Sequence, residues 1–139
     1  VNITFKKQNL LPGNSSFLNP KLKKAGIIII TANLPYLNEE QHTSETSIQH
    51  EPKTALMAPD QGLDLYKTLF RQIQELREMN AEDWAQKKIH VLCEIDPGQS
   101  EILQNYAQKI FKNADTGIKQ DLSGLDRNLT VLIDKNPPL

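Results

Sequence analysis

At 139 residues, with 16 basic against 17 acidic side chains and a net charge of -1, the chain has the size of one domain with a single core. The charge balance excludes affinity for nucleic acid through bulk positive charge, so nucleic acid is not an expected partner. The lone Cys93 excludes an internal disulfide, and no apolar stretch approaches the roughly 20 residues that span a bilayer. With no signal-peptide pattern at the start, the expectation is a cytoplasmic protein without a membrane partner. The chain opens on Val1 rather than Met, which points to a start inside a longer gene product.

In chain order, Val1 to Phe5 alternates apolar and polar residues and reads as a short strand. Lys6 to Ala25 holds Pro12, Gly13, Asn14, Pro20 and a Lys cluster and reads as loop with at most one helical turn. Ile27 to Thr31 is an unbroken β-branched run, the pattern of a parallel strand covered on both faces. Full burial of each isoleucine in it would contribute roughly 1.5–3 kcal/mol, an incentive to place the strand centrally. Asn38 to Pro59 is polar and aperiodic, and reads as a loop too long for an ordinary connection. Asp60 is placed to cap a helix whose apolar face is Leu63, Tyr66, Leu69, Phe70, Ile73 and Leu76. A second short helix is expected around Trp84, then a strand from Ile89 to Ile95. Ile102, Leu103, Tyr106, Ile110 and Phe111 mark another amphipathic helix. Strands are expected at Ile118–Leu122 and Leu129–Ile133, with turns at Asn113, Gly117 and Gly124. The alternation of strands and helices is an α/β pattern.

Directly after the isoleucine run stands Asn33-Leu34-Pro35-Tyr36. An amide or exocyclic amine nitrogen is a poor nucleophile because its lone pair is delocalised into the adjacent π system. Acceptors on its two N–H bonds pull that pair back for attack on a methyl group. The Asn33 side-chain oxygen can supply one acceptor and the Leu34 carbonyl the other. Pro35 restricts Leu34 to an extended conformation and aims that carbonyl outward. Tyr36 can stack on a planar substrate and tolerate positive charge developing on nitrogen. Such catalysis is positioning plus acceptors placed for the transition state. Taken alone, the tetrapeptide also fits a strand-terminating turn with a buried tyrosine.

Other chemistry-bearing residues are weaker. His42, His50 and His90 lack partners at ligand spacing and read as surface or packing residues, so no metal is expected. Cys93 lies in an apolar run and reads as an inert core thiol. Glu39, Glu40, Glu45 and Glu51 read as a solvated acidic loop rather than a cation site, and Lys6-Lys7 and Lys21–Lys24 as solvated clusters. Asp126 and Arg127 read as structural, an ion pair tying the last hairpin to the sheet.

Further blocks accompany the tetrapeptide: His50-Glu51-Pro52 with Ala55-Leu56, Asp60 to Tyr66, Val91 to Ile95 followed by Gly98-Gln99, and Asp121 to Arg127. In this order and spacing the chain resembles the catalytic domain of the release factor glutamine methyltransferases, the HemK/PrmC family, over its C-terminal two-thirds. The resemblance implies that residues 1–139 are the C-terminal part of that domain, an α/β, Rossmann-like methyltransferase fold. It implies S-adenosyl-L-methionine as cofactor and a glutamine side chain of a peptide chain release factor as substrate. Asn33 and Tyr36 carry over as catalytic residues; Asn33, Leu34, Pro35, Tyr36 and Glu51 as substrate-binding; Asn33 and Asn9 as cofactor-binding. The family's Asn-Pro-Pro-Tyr has Leu34 at its second position here, a variant shared with adenine-amine methyltransferases of nucleic acid. The alternatives are therefore such an N6-adenine enzyme, or a non-catalytic remnant or binding module.

The glycine-rich loop that cradles the cofactor in this family, and the acidic residue closing its second strand, have no counterpart in the sequence. The resemblance thus implies an incomplete fold, with the N-terminal cofactor-binding strands absent. In the family's strand order 3-2-1-4-5-7-6, Ile27–Thr31 would be strand four and would present a bare apolar edge. The implied enzyme is the longer protein, and this piece alone is expected neither to react nor to bind the cofactor measurably.

Overall fold

The computed structural model describes residues 3, 5, 7–11, 24–37, 39–44, 46–48, 50–84 and 86–134. Its elements are β1 (Ile27–Asn33), α1 (Glu39–Ser44), α2 (Lys53–Leu56), α3 (Leu63–Met79), α4 (Ala81–Trp84), β2 (Lys88–Glu94), α5 (Ser100–Ile110), β3 (Asp115–Gln120) and β4 (Asp126–Ile133). Short 3-10 turns fill Thr46–Ile48, Pro59–Gly62 and Pro97–Gln99. The strands form one four-stranded sheet in the order β1-β2-β4-β3. β1 and β2 are parallel, whereas β4 runs antiparallel to both β2 and β3. This is an α/β fold with a mixed sheet, and its order is the 4-5-7-6 half of the one that the resemblance implied.

Hydrophobic periodicity explains the core. α3 buries Leu63, Tyr66, Leu69, Phe70, Ile73 and Leu76, the stripe expected from the sequence. These residues pack with α5 against one face of the sheet, formed by Ile28, Ile89, Val91, Cys93, Leu129, Val131 and Ile133. Phe70 meets Phe111 edge-on, with ring centroids 5.8 Å apart. Cys93 is fully buried, and burial pushes its thiol up to about 12.

Several expectations are corrected. β1 lies at the sheet edge, as the resemblance implied, but among the described residues it is covered on one face rather than both: Ile28 is buried, while Ile27 and Ile29 are 57% and 64% exposed. Its unbroken apolar run cannot be distinguished by composition from a strand sandwiched between two layers. Asn38–Pro59 is not a plain loop, since α1, α2 and a 3-10 turn lie within it. Asp60 does not cap α3; it sits at φ 51 in the preceding turn, and the cap position is Gly62 at φ 75. On α5 the buried residues are Leu103 and Ala107, and Ile102 is 48% exposed. Gly117 lies within β3 rather than in a turn, and Leu122 falls beyond that strand, exposed in the hairpin loop.

Of the expected strand Val1–Phe5 only Ile3 and Phe5 are described, both exposed and outside regular structure. Lys6, Lys21–Lys23 and Glu45 lie outside the described residues, as does the side chain of Glu39. The expected pair of Asp126 with Arg127 is replaced by Arg127 with Asp121, 3.1 Å apart across the hairpin. Asp126 instead accepts from the Gln120 side-chain amide at 3.1 Å.

Candidate active site

β1 and β2 end together. Asn33 and Glu94 are register partners at their carboxyl ends, where open α/β sheets place their ligands. Beyond Asn33 the chain leaves the sheet as Leu34-Pro35-Tyr36, and a set of contacts from neighbouring segments holds that exit. The Leu37 N–H donates to the Leu56 carbonyl at 2.9 Å, and Leu37 forms an isolated parallel bridge with Met57. Gly62 packs beneath Pro35, with no room for a side chain. One helical turn later, the Tyr66 hydroxyl accepts from the Leu34 N–H at 3.3 Å and donates to the Glu94 carbonyl. The Tyr36 hydroxyl donates to Glu94 Oε1 at 3.2 Å.

These segments enclose a cleft of about 730 Å³. Asn33, Leu34, Pro35, Tyr36 and Glu51 all line it. Asn33 is exposed there rather than packed inward, the condition under which its carboxamide can meet a substrate. Asn9 is exposed and does not line this cleft. Leu56 and Ile48, from the segment that the sequence alone left structureless, close its apolar side.

Sequence reasoning missed Glu94, Asp96, Tyr66 and Arg127 as parts of this site. Glu94 and Asp96 line it from the end of β2, and Arg127 reaches it from the start of β4. The signal for Glu94 was a charged residue closing an otherwise apolar strand. Nothing in the local sequence could mark Tyr66, which looks like one more residue of the α3 stripe. The Gly98-Gln99 block has a structural explanation. Asp96 accepts from the Gly98 N–H at 2.9 Å, and the buried Gln99 side chain accepts from the Asp96 N–H at 2.9 Å, a reciprocal capping box.

Electrostatics follow from these contacts. Burial, then the adjacent Glu94 carboxylate, raises the Tyr36 phenol above its ordinary range, so it remains a neutral donor. Burial raises the Tyr66 phenol further. Asp121, which orients Arg127, accepts from the Leu125 and Ser123 N–H groups at 3.0 and 2.8 Å. Those bonds, that of Leu125 foremost, together with Arg127, hold its carboxyl below the usual range.

Among the described residues, the lining carries the carboxyl groups of Glu51, Glu94 and Asp96 and one guanidinium, that of Arg127, which pairs with Asp121. A lining with this surplus of negative charge suits a cationic ligand group. Among the described residues no group of three or more His, Cys, Asp or Glu could hold a metal ion, and no helix is long and apolar enough to cross a membrane.

No protein-family model matches the chain. Curated relatives do. The release factor glutamine methyltransferase of Bacillus subtilis is 33% identical over 116 residues, which is 82% of this chain and 37% of the relative. That of Bacillus cereus is 31% identical over 101 residues, covering 71% and 33%. That of Enterococcus faecalis is 33% identical over 103 residues, covering 73% and 34%. The chain spans about a third of the length of these relatives. The resemblance read from the motif blocks is thereby borne out: over most of its length the chain is similar to about a third of these release factor glutamine methyltransferases.

Proposed function

We propose that this chain, as part of a longer protein, carries the substrate-holding half of an enzyme that methylates the side-chain N5 nitrogen of a glutamine in a peptide chain release factor. The methyl donor in this reading is S-adenosylmethionine, which supplies an electrophilic methyl carbon. The negative lining of the cleft fits its sulfonium end, and Asn33 is the residue that would meet it. Asn9 stands apart from the cleft lining and has no part in this reading.

The substrate amide lies in the cleft with one N–H donated to the Asn33 side-chain oxygen and the other to the Leu34 carbonyl. Both acceptors strengthen as positive charge develops on nitrogen, so they favour the transition state over the ground state. Tyr36, anchored through its hydroxyl to Glu94, provides the flat wall against which the amide plane stacks. Glu51 and residues of the α1–α2 segment also line the cleft. The excess proton leaves to water after transfer.

The observation that carries this reading is the exposure of Asn33 into the cleft beside an anchored Tyr36. The test is methyl transfer by the full-length protein to a purified release factor. Replacing Asn33→Ala should lower the rate by on the order of 10²–10³. An unchanged rate would remove Asn33 from the mechanism, absence of any transfer by the wild-type protein would favour a binding module, and transfer to adenine in nucleic acid without transfer to the release factor would favour an adenine enzyme. Titration calorimetry of the 139-residue chain alone should detect no S-adenosylmethionine binding.

A further inference from the structure

We infer that Tyr66 is a positioning residue for this site, its hydroxyl holding the peptide between Asn33 and Leu34 at the angle from which both acceptors are offered. The geometry stands by itself, whereas its catalytic consequence rests on the proposed function. The Asn33–Glu94 pair closes the ladder between β1 and β2. At that point β1 must turn out of the sheet, and Pro35 prevents it from continuing as strand. The backbone groups at the divergence, the Leu34 N–H and the Glu94 carbonyl, both bond the Tyr66 hydroxyl. A phenol has one proton to give and lone pairs to receive, so this single group ties the two strands where they part.

Several features make the tie rigid. Tyr66 is fully buried, so no water competes for either bond. Its ring is seated by α3, whose preceding turn places Gly62 against Pro35 and Tyr36. Residues four apart lie on one helix face, so Gly62 and Tyr66 address consecutive parts of the same loop. The Glu94 main chain receives Tyr66 while its side chain receives Tyr36. The orientation of the aromatic wall and that of the acceptor peptide are therefore referred to one residue. Displacement of a reacting group by about 1 Å costs on the order of 10²-fold in rate, so a frame of this kind has catalytic weight.

The test uses Tyr66→Phe in the full-length protein, which keeps the ring and deletes only the hydroxyl. The expected result is a fall in kcat of about 10- to 100-fold on the release factor, with KM within about twofold, because the ground-state contacts persist. Amide exchange at Leu34 should accelerate in the same variant. Ile73→Val, a core trimming on the same helix, serves as control. It should lower stability without changing kcat per folded molecule or exchange at Leu34. Unchanged exchange at Leu34 in Tyr66→Phe would overturn the inference, as would a full kcat in that variant. Should the wild-type protein prove inactive on release factors, the proposed function fails. The tie is then judged by exchange alone, with faster exchange at Leu34 supporting it.

Discussion

A Cβ placed on Gly62 would stand 2.2 Å from the carbonyl oxygen of Pro35, far inside van der Waals contact. The close approach lets the start of α3 support the loop that carries Asn33 and Tyr36. Gly62 also sits at φ 75, a conformation that side chains disfavour. Gly62→Ala should therefore lower stability by about 2–4 kcal/mol, measured by denaturant unfolding, from strain and steric clash together. Gly26→Ala, whose Cβ would meet nothing within 4 Å, should change stability by no more than about 0.5 kcal/mol.

Alkaline pH should loosen the site. The Tyr36 and Tyr66 phenols are raised above their ordinary value of 10.0, so the folded state holds their protons more tightly than the unfolded chain. Their contribution to stability is full below about pH 10 and is lost as pH climbs toward the raised values. In Glu94→Gln the negative charge beside Tyr36 disappears, so its titration should move down toward the ordinary range. Absorbance titration of the tyrosines checks both statements.

Acid should act on the hairpin that holds Arg127. The Asp121 carboxyl is held below its ordinary value of 3.8 by the hairpin amides and Arg127. Its contribution is present above about pH 4 and disappears as pH falls through the lower folded value. Asp121→Asn should remove that acid dependence and free Arg127 from its fixed orientation. Amide exchange at Ser123 and Leu125, followed from neutral pH to pH 3, provides the readout.

The two faces of β1 should respond differently to substitution. Ile28→Ala empties a buried position and should cost about 2–4 kcal/mol. Ile29→Lys replaces a side chain 64% exposed and should change the stability of this chain by no more than about 0.5 kcal/mol. Because the edge strand is a template for further pairing, the same Ile29→Lys change should reduce aggregation of the 139-residue chain, seen by light scattering.

The sequence by itself determined the elements whose pattern is local. The α3 stripe from Leu63 to Leu76 repeats at helical spacing, and the strands around Val91 and Val131 are short, largely apolar segments bounded by turn residues. Asn33 and Tyr36 were legible because a rigid tetrapeptide at a strand end is a local device, and Glu51 because its motif block lies close by in sequence. Only the tertiary structure decided which face of β1 is covered, because an unbroken apolar run carries no record of how many layers meet it. It also decided that Tyr66 bonds Leu34 and Glu94, and that Arg127 pairs with Asp121 rather than with its neighbour. Those contacts join residues distant in sequence through hydrogen bonds whose partners are set by strand order and helix placement, and no periodicity encodes them.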